Sequence, residues 1–169
     1  MSRPDVQGAR RAATILIEQF KITAPPVPVE QIARRLGIKI QFAPFDGDLS
    51  GMAFVKDGVP IIGVNALHHP NRQRFTLAHE LAHIRLHRPQ IEAQVHVDNG
   101  SLRRDALAAE GVDPNEIEAN AFASELLIPT LLLKNSLGSR TIDLEDDPMI
   151  AALAKKFKVS EVAMRFRLQ

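Results

Sequence analysis

At 169 residues, with 45% apolar and 24% charged side chains, the sequence has the make-up of a folded globular domain with a small appendage, and it excludes a disordered chain. The formal net charge of +1 gives no global electrostatic case for nucleic acid, so any such role needs a local patch. There is no cysteine, which excludes disulfides and thiolate zinc sites and leaves His, Asp and Glu as transition-metal ligands. The start, Met1 to Val6, lacks a signal-like apolar run and no apolar stretch reaches membrane-spanning length, so a cytoplasmic protein with no membrane partner is expected.

Asp5 to Phe20 spaces its apolar residues as a core-covering helix does, and Pro25, Pro26 and Pro28 force an extended connection after it. Val29 to Leu36 predicts a short helix closed by Gly37. Ile38 to Ala43 alternates as a half-buried strand, and Gly51 to Lys56 and Val59 to Val64 are β-rich runs joined by the hairpin signal Asp57-Gly58. Together these predict a small antiparallel sheet of about three strands, with Pro60 at an edge or bulge.

The next helix should open at Pro70 and end near Arg88, before Pro89. It carries H-E-x-x-H as His79, Glu80 and His83, among Phe75, Leu77, Ala78, Leu81, Ala82, Ile84 and Leu86, which mark it as largely buried. Positions four apart share a helix face, so the two imidazoles can aim at one metal ion. Glu80, rotated by about 100° from His79, would meet a water there as general base. Buried and unpaired, such a trio would be costly.

Gln90 to Gly111 mixes a possible short strand at Glu92 to Val97, a turn at Asp98-Asn99-Gly100 and a charged stretch at Arg103-Arg104-Asp105 that reads as solvated surface. Asp113-Pro114-Asn115-Glu116 is a clean helix start, with Asp113 as N-cap and Glu116 placed for a capping box; the helix runs to Leu127. Thr130 to Leu137 predicts another short helix, ended by Gly138, and Thr141 to Asp147 an acidic linker. Met149 to Leu168 reads as two helices with a turn at Lys158-Val159, the second capped by Ser160. Its bases, Lys155, Lys156, Lys158, Arg165 and Arg167, allow DNA binding by this segment, but packing on the rest of the chain is the favoured reading. Residues 1–140 and 141–169 are therefore expected as main domain and helical appendage.

A catalytic zinc site takes three protein ligands and leaves one position open. His87 continues the row 79, 83, 87, yet its Cα lies about 12 Å along the axis from that of His79. Leu86 and Pro89 stand where the metzincin pattern has Gly and His. A carboxylate from the Pro114 helix remains: Glu118 is the best candidate, one turn before Phe122, with Glu125 and Glu116 as alternatives. Zinc is the expected ion, with manganese or iron (Mn2+ or Fe2+) able to occupy such a site. With no Tyr in the chain, His87 and Arg85 are candidate donors to the oxyanion, beside His68, His69, His96 and Asn65. Gly51, Met52, Ala53, Phe54 and Val55 are a candidate edge strand for an extended substrate.

Three stretches, R-F-T-L-A-H-E-L-A-H at 74–83, E-A-N-A-F-A-S-E-L-L-I-P at 118–129 and I-I-G-V-N at 61–65, resemble the ImmA/IrrE family of zinc metallo-endopeptidases. The tail at 153–160 is similar to that family's helical tail. The resemblance implies an α+β fold with a zincin-like helical core, His79, His83 and Glu118 as ligands, Glu80 as base, and site-specific cleavage of a helix-turn-helix repressor in a stress response, mobile element or toxin-antitoxin setting. The rival expectation is a metal-dependent regulator that binds a protein or DNA partner and cleaves nothing.

Overall fold

The computed structural model describes residues 2–99 and 113–169. The Arg103-Arg104-Asp105 stretch, and Gly100 of the expected turn, lie outside the described residues. Eight helices and four strands are described: α1 (Val6–Gln19), α2 (Val29–Arg35), β1 (Lys39–Ala43), β2 (Gly51–Lys56), β3 (Val59–Asn65), α3 (Pro70–Leu86), α4 (Arg88–Ala93), β4 (His96–Asp98), α5 (Pro114–Leu127), α6 (Thr130–Leu137), α7 (Asp147–Phe157) and α8 (Glu161–Leu168). The class is α+β, as the alternation of periods 2 and 3.6 along the sequence implies.

The sheet differs from the expected three antiparallel strands. It has the order β1-β3-β2-β4 and is mixed, because β1 runs parallel to β3 while β2 is antiparallel to both β3 and β4. The Asp57-Gly58 turn, both residues at positive φ, makes β2 and β3 a tight hairpin, and β1 joins on the outer side of β3. Residues 44–50 cross the end of β3, and the buried Asn65 side chain ties that crossing down: its Oδ1 accepts from the Phe45 and Leu67 N–H groups and its Nδ2 donates to the Leu49 carbonyl. Pro60 pairs with Val55 but lies just outside the β1 register, which begins at Ile61, so its missing N–H costs the sheet nothing there.

Two further expectations need correction. The Glu92 to Val97 strand is replaced by α4 followed by the short β4, since Pro89 sits in the first turn of a new helix that His87 separates from α3. The Gly51 to Val55 stretch is no free edge: Gly51, Met52 and Ala53 pair with Asp98, Val97 and His96, so among the described residues β4 is the edge on that side. Strand alternation shows which face is buried but says nothing of what pairs alongside.

α3 is buried over most of its circumference and packs on α5, β2 and β3. Leu77, Ala78, Leu81, Ala82, Phe122, Ala123 and Leu126 belong to one core cluster, to which α7 and α8 add Ile150, Leu153, Phe157 and Met164. Arg74 of α3 donates to the carbonyls of Val27 and Lys158, and Arg167 of α8 donates to the Ile128 carbonyl and pairs with Glu125, which is 7% exposed. Arg165 pairs with Asp147. Two of the tail's basic residues are thus engaged within the fold.

Candidate metal centre

His79 and His83 face the same way from the middle of α3, and their Nε2 atoms lie 3.2 Å apart. Glu116, in the first turn of α5, places Oε2 at 3.0 Å from His79 Nε2 and Oε1 at 3.1 Å from His83 Nε2. Asn120, one turn further along α5, places Oδ1 at 2.9 Å from His79 Nδ1. His96 of β4 closes the group, with Nε2 at 2.7 Å from Glu116 Oε1 and Nδ1 at 2.9 Å from Glu80 Oε2. The second oxygen of Glu80, Oε1, is buried and has no hydrogen-bond partner among the described residues.

The grouping of side chains differs from the expected one at one position. It brings Glu116 to the two histidines, whereas Glu118 turns to His87, with Oε2 at 2.8 Å from His87 Nε2. Asp113 does cap α5, accepting from the Asn115 N–H, but the side chain of Glu116 points at imidazoles instead of completing a capping box. Reading Glu116 as a capping residue left it an alternative behind Glu118. A usable signal was present: Glu116 and Asn120 are four apart, so one face of α5 offers an acceptor to each ring nitrogen of His79.

Among the other expected site residues, His87 is buried behind His83, its Nδ1 at 3.0 Å from His83 Nδ1. Arg85 is exposed, on the far side of α3 from His79 and His83. Asn65 holds the crossing loop, and His69 caps α3 by accepting from the Asn71 N–H. His96 is the one that reaches the cluster.

These donors fit a divalent cation. Asn120 Oδ1 can only accept, so His79 uses its Nδ1 proton there and, when neutral, carries a lone pair on Nε2. That lone pair faces a carboxylate oxygen 3.0 Å away, an arrangement that needs positive charge between the two. Separations of 3.0 to 3.2 Å are also close to the edge, about 3.3 Å, of a tetrahedron whose centre lies ~2.0 Å from each ligand.

Without an ion, protons supply the positive charge between these groups. Burial pushes the His83 imidazole below its ordinary value, which keeps its lone pair available. Burial alone would raise the Glu116 carboxyl, but hydrogen bonds with His79, His83 and His96 outweigh it and hold the group well below the usual carboxylate range. For His96, burial opposes the charge, yet hydrogen bonds with Glu116 and Glu80 push its pKa up to about 10. Burial also works against the charge of Glu118, and its hydrogen bonds with His87 and the Asp5 N–H lower it overall. A cleft of about 160 Å³, lined in part by His83, Gln90, Gln94, His96, Asn115 and Glu116, opens onto the cluster.

A mixed α+β domain with H-E-x-x-H on a buried helix, a carboxylate from a second helix and a cleft between them has the build of a metallopeptidase-type centre. The chain belongs to the Peptidase_M78 family, described as the IrrE N-terminal-like domain, whose model matches residues 33–169. Among solved structures it is similar to a Mycobacterium tuberculosis transcriptional regulator, with TM-score 0.59 and 17% identity over 94% of this chain. The chain spans 45% of that regulator's length, and the likeness is one of fold. No curated protein matches the sequence significantly. No helix among the described residues is long and apolar enough to cross a membrane.

Proposed function

We propose that the protein is a metal-dependent endopeptidase. The observation that carries this reading is the convergence of His79, His83 and Glu116 beside a buried Glu80 whose Oε1 has no partner among the described residues. His79, His83 and Glu116 would hold the ion, with zinc the best match to a two-histidine, one-carboxylate set and Mn2+ or Fe2+ as substitutes. Zinc, when bound, supplies Lewis acidity toward a water and the scissile carbonyl.

Glu80 Oε1 takes the proton of the attacking water and later passes it to the leaving amine. His96 holds the other Glu80 oxygen through Nδ1 and so aims the base. Its second ring nitrogen, which faces Glu116 Oε1 at 2.7 Å, would turn its proton from that carboxylate to the developing oxyanion in a chain without Tyr. The outer edge of β4 is where an extended peptide would lie, since Val95 and Val97 are exposed while His96, between them, turns inward.

The substrate class we propose is a helix-turn-helix repressor, cleaved at one site under stress or in a mobile-element or toxin-antitoxin setting; this rests on family resemblance. The test compares newly formed protein N-termini in cells expressing wild type and Glu80→Gln, before and after DNA damage. A new terminus that requires Glu80 supports the reading and identifies the substrate. Identical termini, with both proteins folded and metal-loaded, contradict it.

One observation favours a second reading. His96 brings the cluster to four groups, and a site with four protein ligands is closed, as structural metal sites are. A metal-dependent regulator that binds a protein or DNA partner without cleaving it would have such a site.

A further inference from the structure

Round α3 from the metal centre, a guanidinium is drawn out of water with no acid beside it. Arg74 lies five residues before His79 and about 140° away from it round the helix. Its Nε donates to the Lys158 carbonyl and its Nη2 to the carbonyls of Val27 and Phe157, while Nη1 makes no hydrogen bond among the described residues. Burial works against its charge, and no carboxylate among the described residues offsets this. Arg167, the other arginine withdrawn from solvent in this way, has Glu125 against it.

Arg74 forms part of the wall of a cavity of about 320 Å³, together with Pro28, Val29, Glu30, Gln31 and Arg34 of the α2 segment. The volume suits a small molecule. Glu30 does not serve Arg74, because its Oε1 accepts from both Nε and Nη2 of Arg34. The Phe157 and Lys158 carbonyls end α7, and a helix C-terminus supplies only about half a negative charge. Two arginines against one glutamate leave the lining positive by one charge, of which the helix end offsets about half. A monoanion completes that balance, whereas a dianion exceeds it and meets Glu30. A carboxylate also has the planar shape that a guanidinium edge recognises.

We propose that this cavity is a binding site for a small carboxylate, with Arg74 as the anchoring cation and Pro28 and Val29 against the hydrocarbon part of the ligand. The site stands apart from the metal centre and does not rest on the endopeptidase reading. Because Arg74 also holds the Val27 carbonyl and the end of α7, a bound acid fastens the joint between α2, α3 and the C-terminal helices.

The test titrates the full chain, with and without zinc, by replacing sodium chloride with sodium butyrate at constant ionic strength. The Arg74 Nε–H and Gln31 backbone N–H signals in 1H–15N spectra report this cavity rather than acid bound at the metal. Both should shift together, saturate in the millimolar range and do so alike in the two forms. Arg74→Gln should abolish the Gln31 response. Arg34 and Glu30 are half exposed and pair only with each other, so their variants keep the fold. Arg34→Gln should weaken binding by about 3-fold and Glu30→Gln strengthen it by about the same factor, the opposite signs following from charge. N-acetyl-alanyl-alanine as the free acid distinguishes the source: tighter binding than butyrate points to a peptide terminus, weaker binding to a free organic acid.

Shifts that rise without saturating, or that persist at Gln31 in Arg74→Gln, would overturn the proposal. So would equal binding of the same dipeptide as its neutral C-terminal amide. Inorganic phosphate saturating these signals at a lower concentration than butyrate would overturn the assignment to a carboxylate. Should Arg74→Gln fail to fold, the exposed pair decides: one affinity shared by wild type, Arg34→Gln and Glu30→Gln would contradict a site built on this charge balance.

Discussion

Glu80 and His96 form one unit, a carboxylate with one oxygen held at 2.9 Å by an imidazole and the other left bare. Glu80→Gln should keep metal affinity within a few fold and reduce cleavage by at least ~100-fold, measured on any peptide the wild type cuts. His96→Ala should reduce the rate by a similar factor of about 100 with affinity unchanged. A fall in zinc affinity without that kinetic selectivity would mark His96 as a fourth ligand and favour the regulator.

The metal-free protein also carries a pH signature at this residue. The pKa of His96 in the fold, about 10, lies above its ordinary 6.5, so the stability it contributes is fully present below about pH 6.5 and is lost as pH rises through about 10. Urea unfolding of the chelator-treated protein should show this alkaline loss, and His96→Gln should flatten it. The shared face of His79 and His83 on a buried helix was legible in the sequence because a helix converts a spacing of four into one face. Glu116 stood there only as an alternative to Glu118, because Asp113-x-x-Glu116 also satisfies a capping box, and only tertiary packing shows which partner the carboxylate takes.

The placement of Glu80 depends on how closely β2 approaches α3. A Cβ added at Gly51 would lie 2.4 Å from Thr76 Cγ2 and 2.8 Å from the Gly63 carbonyl oxygen, with Glu80 Cγ at 3.6 Å. One of these neighbours is backbone of the paired strand β3, so there is no easy relaxation. Gly51→Ala should therefore destabilise the fold by about 1–3 kcal/mol in denaturant titration and lower the cleavage rate of the protein that remains folded. Wild-type stability and rate in this variant would show that the strand and helix are less tightly coupled than their geometry implies. The helices and the Asp57-Gly58 hairpin were readable from period, caps and turn chemistry. The parallel β1–β3 pairing and the three-residue β4 were not, since alternation is the same for either pairing direction and so short a strand carries almost no pattern.

Across the whole molecule, the site joins elements far apart in sequence: α3, β4 and α5 supply the cluster, and Asp5, the N-cap of α1, holds Glu118 behind it. Metal binding should therefore stabilise the folded chain as a unit. At a free zinc concentration ~1,000 times Kd the gain is about 4 kcal/mol, and chelation should lower Tm by roughly 10 °C for a chain of this size. Glu116→Gln should have a lower Tm than wild type in zinc and show little response to chelator.

Anomalous scattering at the zinc edge from crystals of the metal-loaded chain would locate the ion. One peak within about 2.0–2.2 Å of His79 Nε2, His83 Nε2 and the Glu116 carboxylate, with a non-protein fourth position and with Glu80, His96 and Glu118 outside coordination distance, is the predicted result. A peak ligated by Glu118, or one enclosed by His96 as a fourth protein ligand, would contradict the open three-ligand centre on which the endopeptidase reading stands.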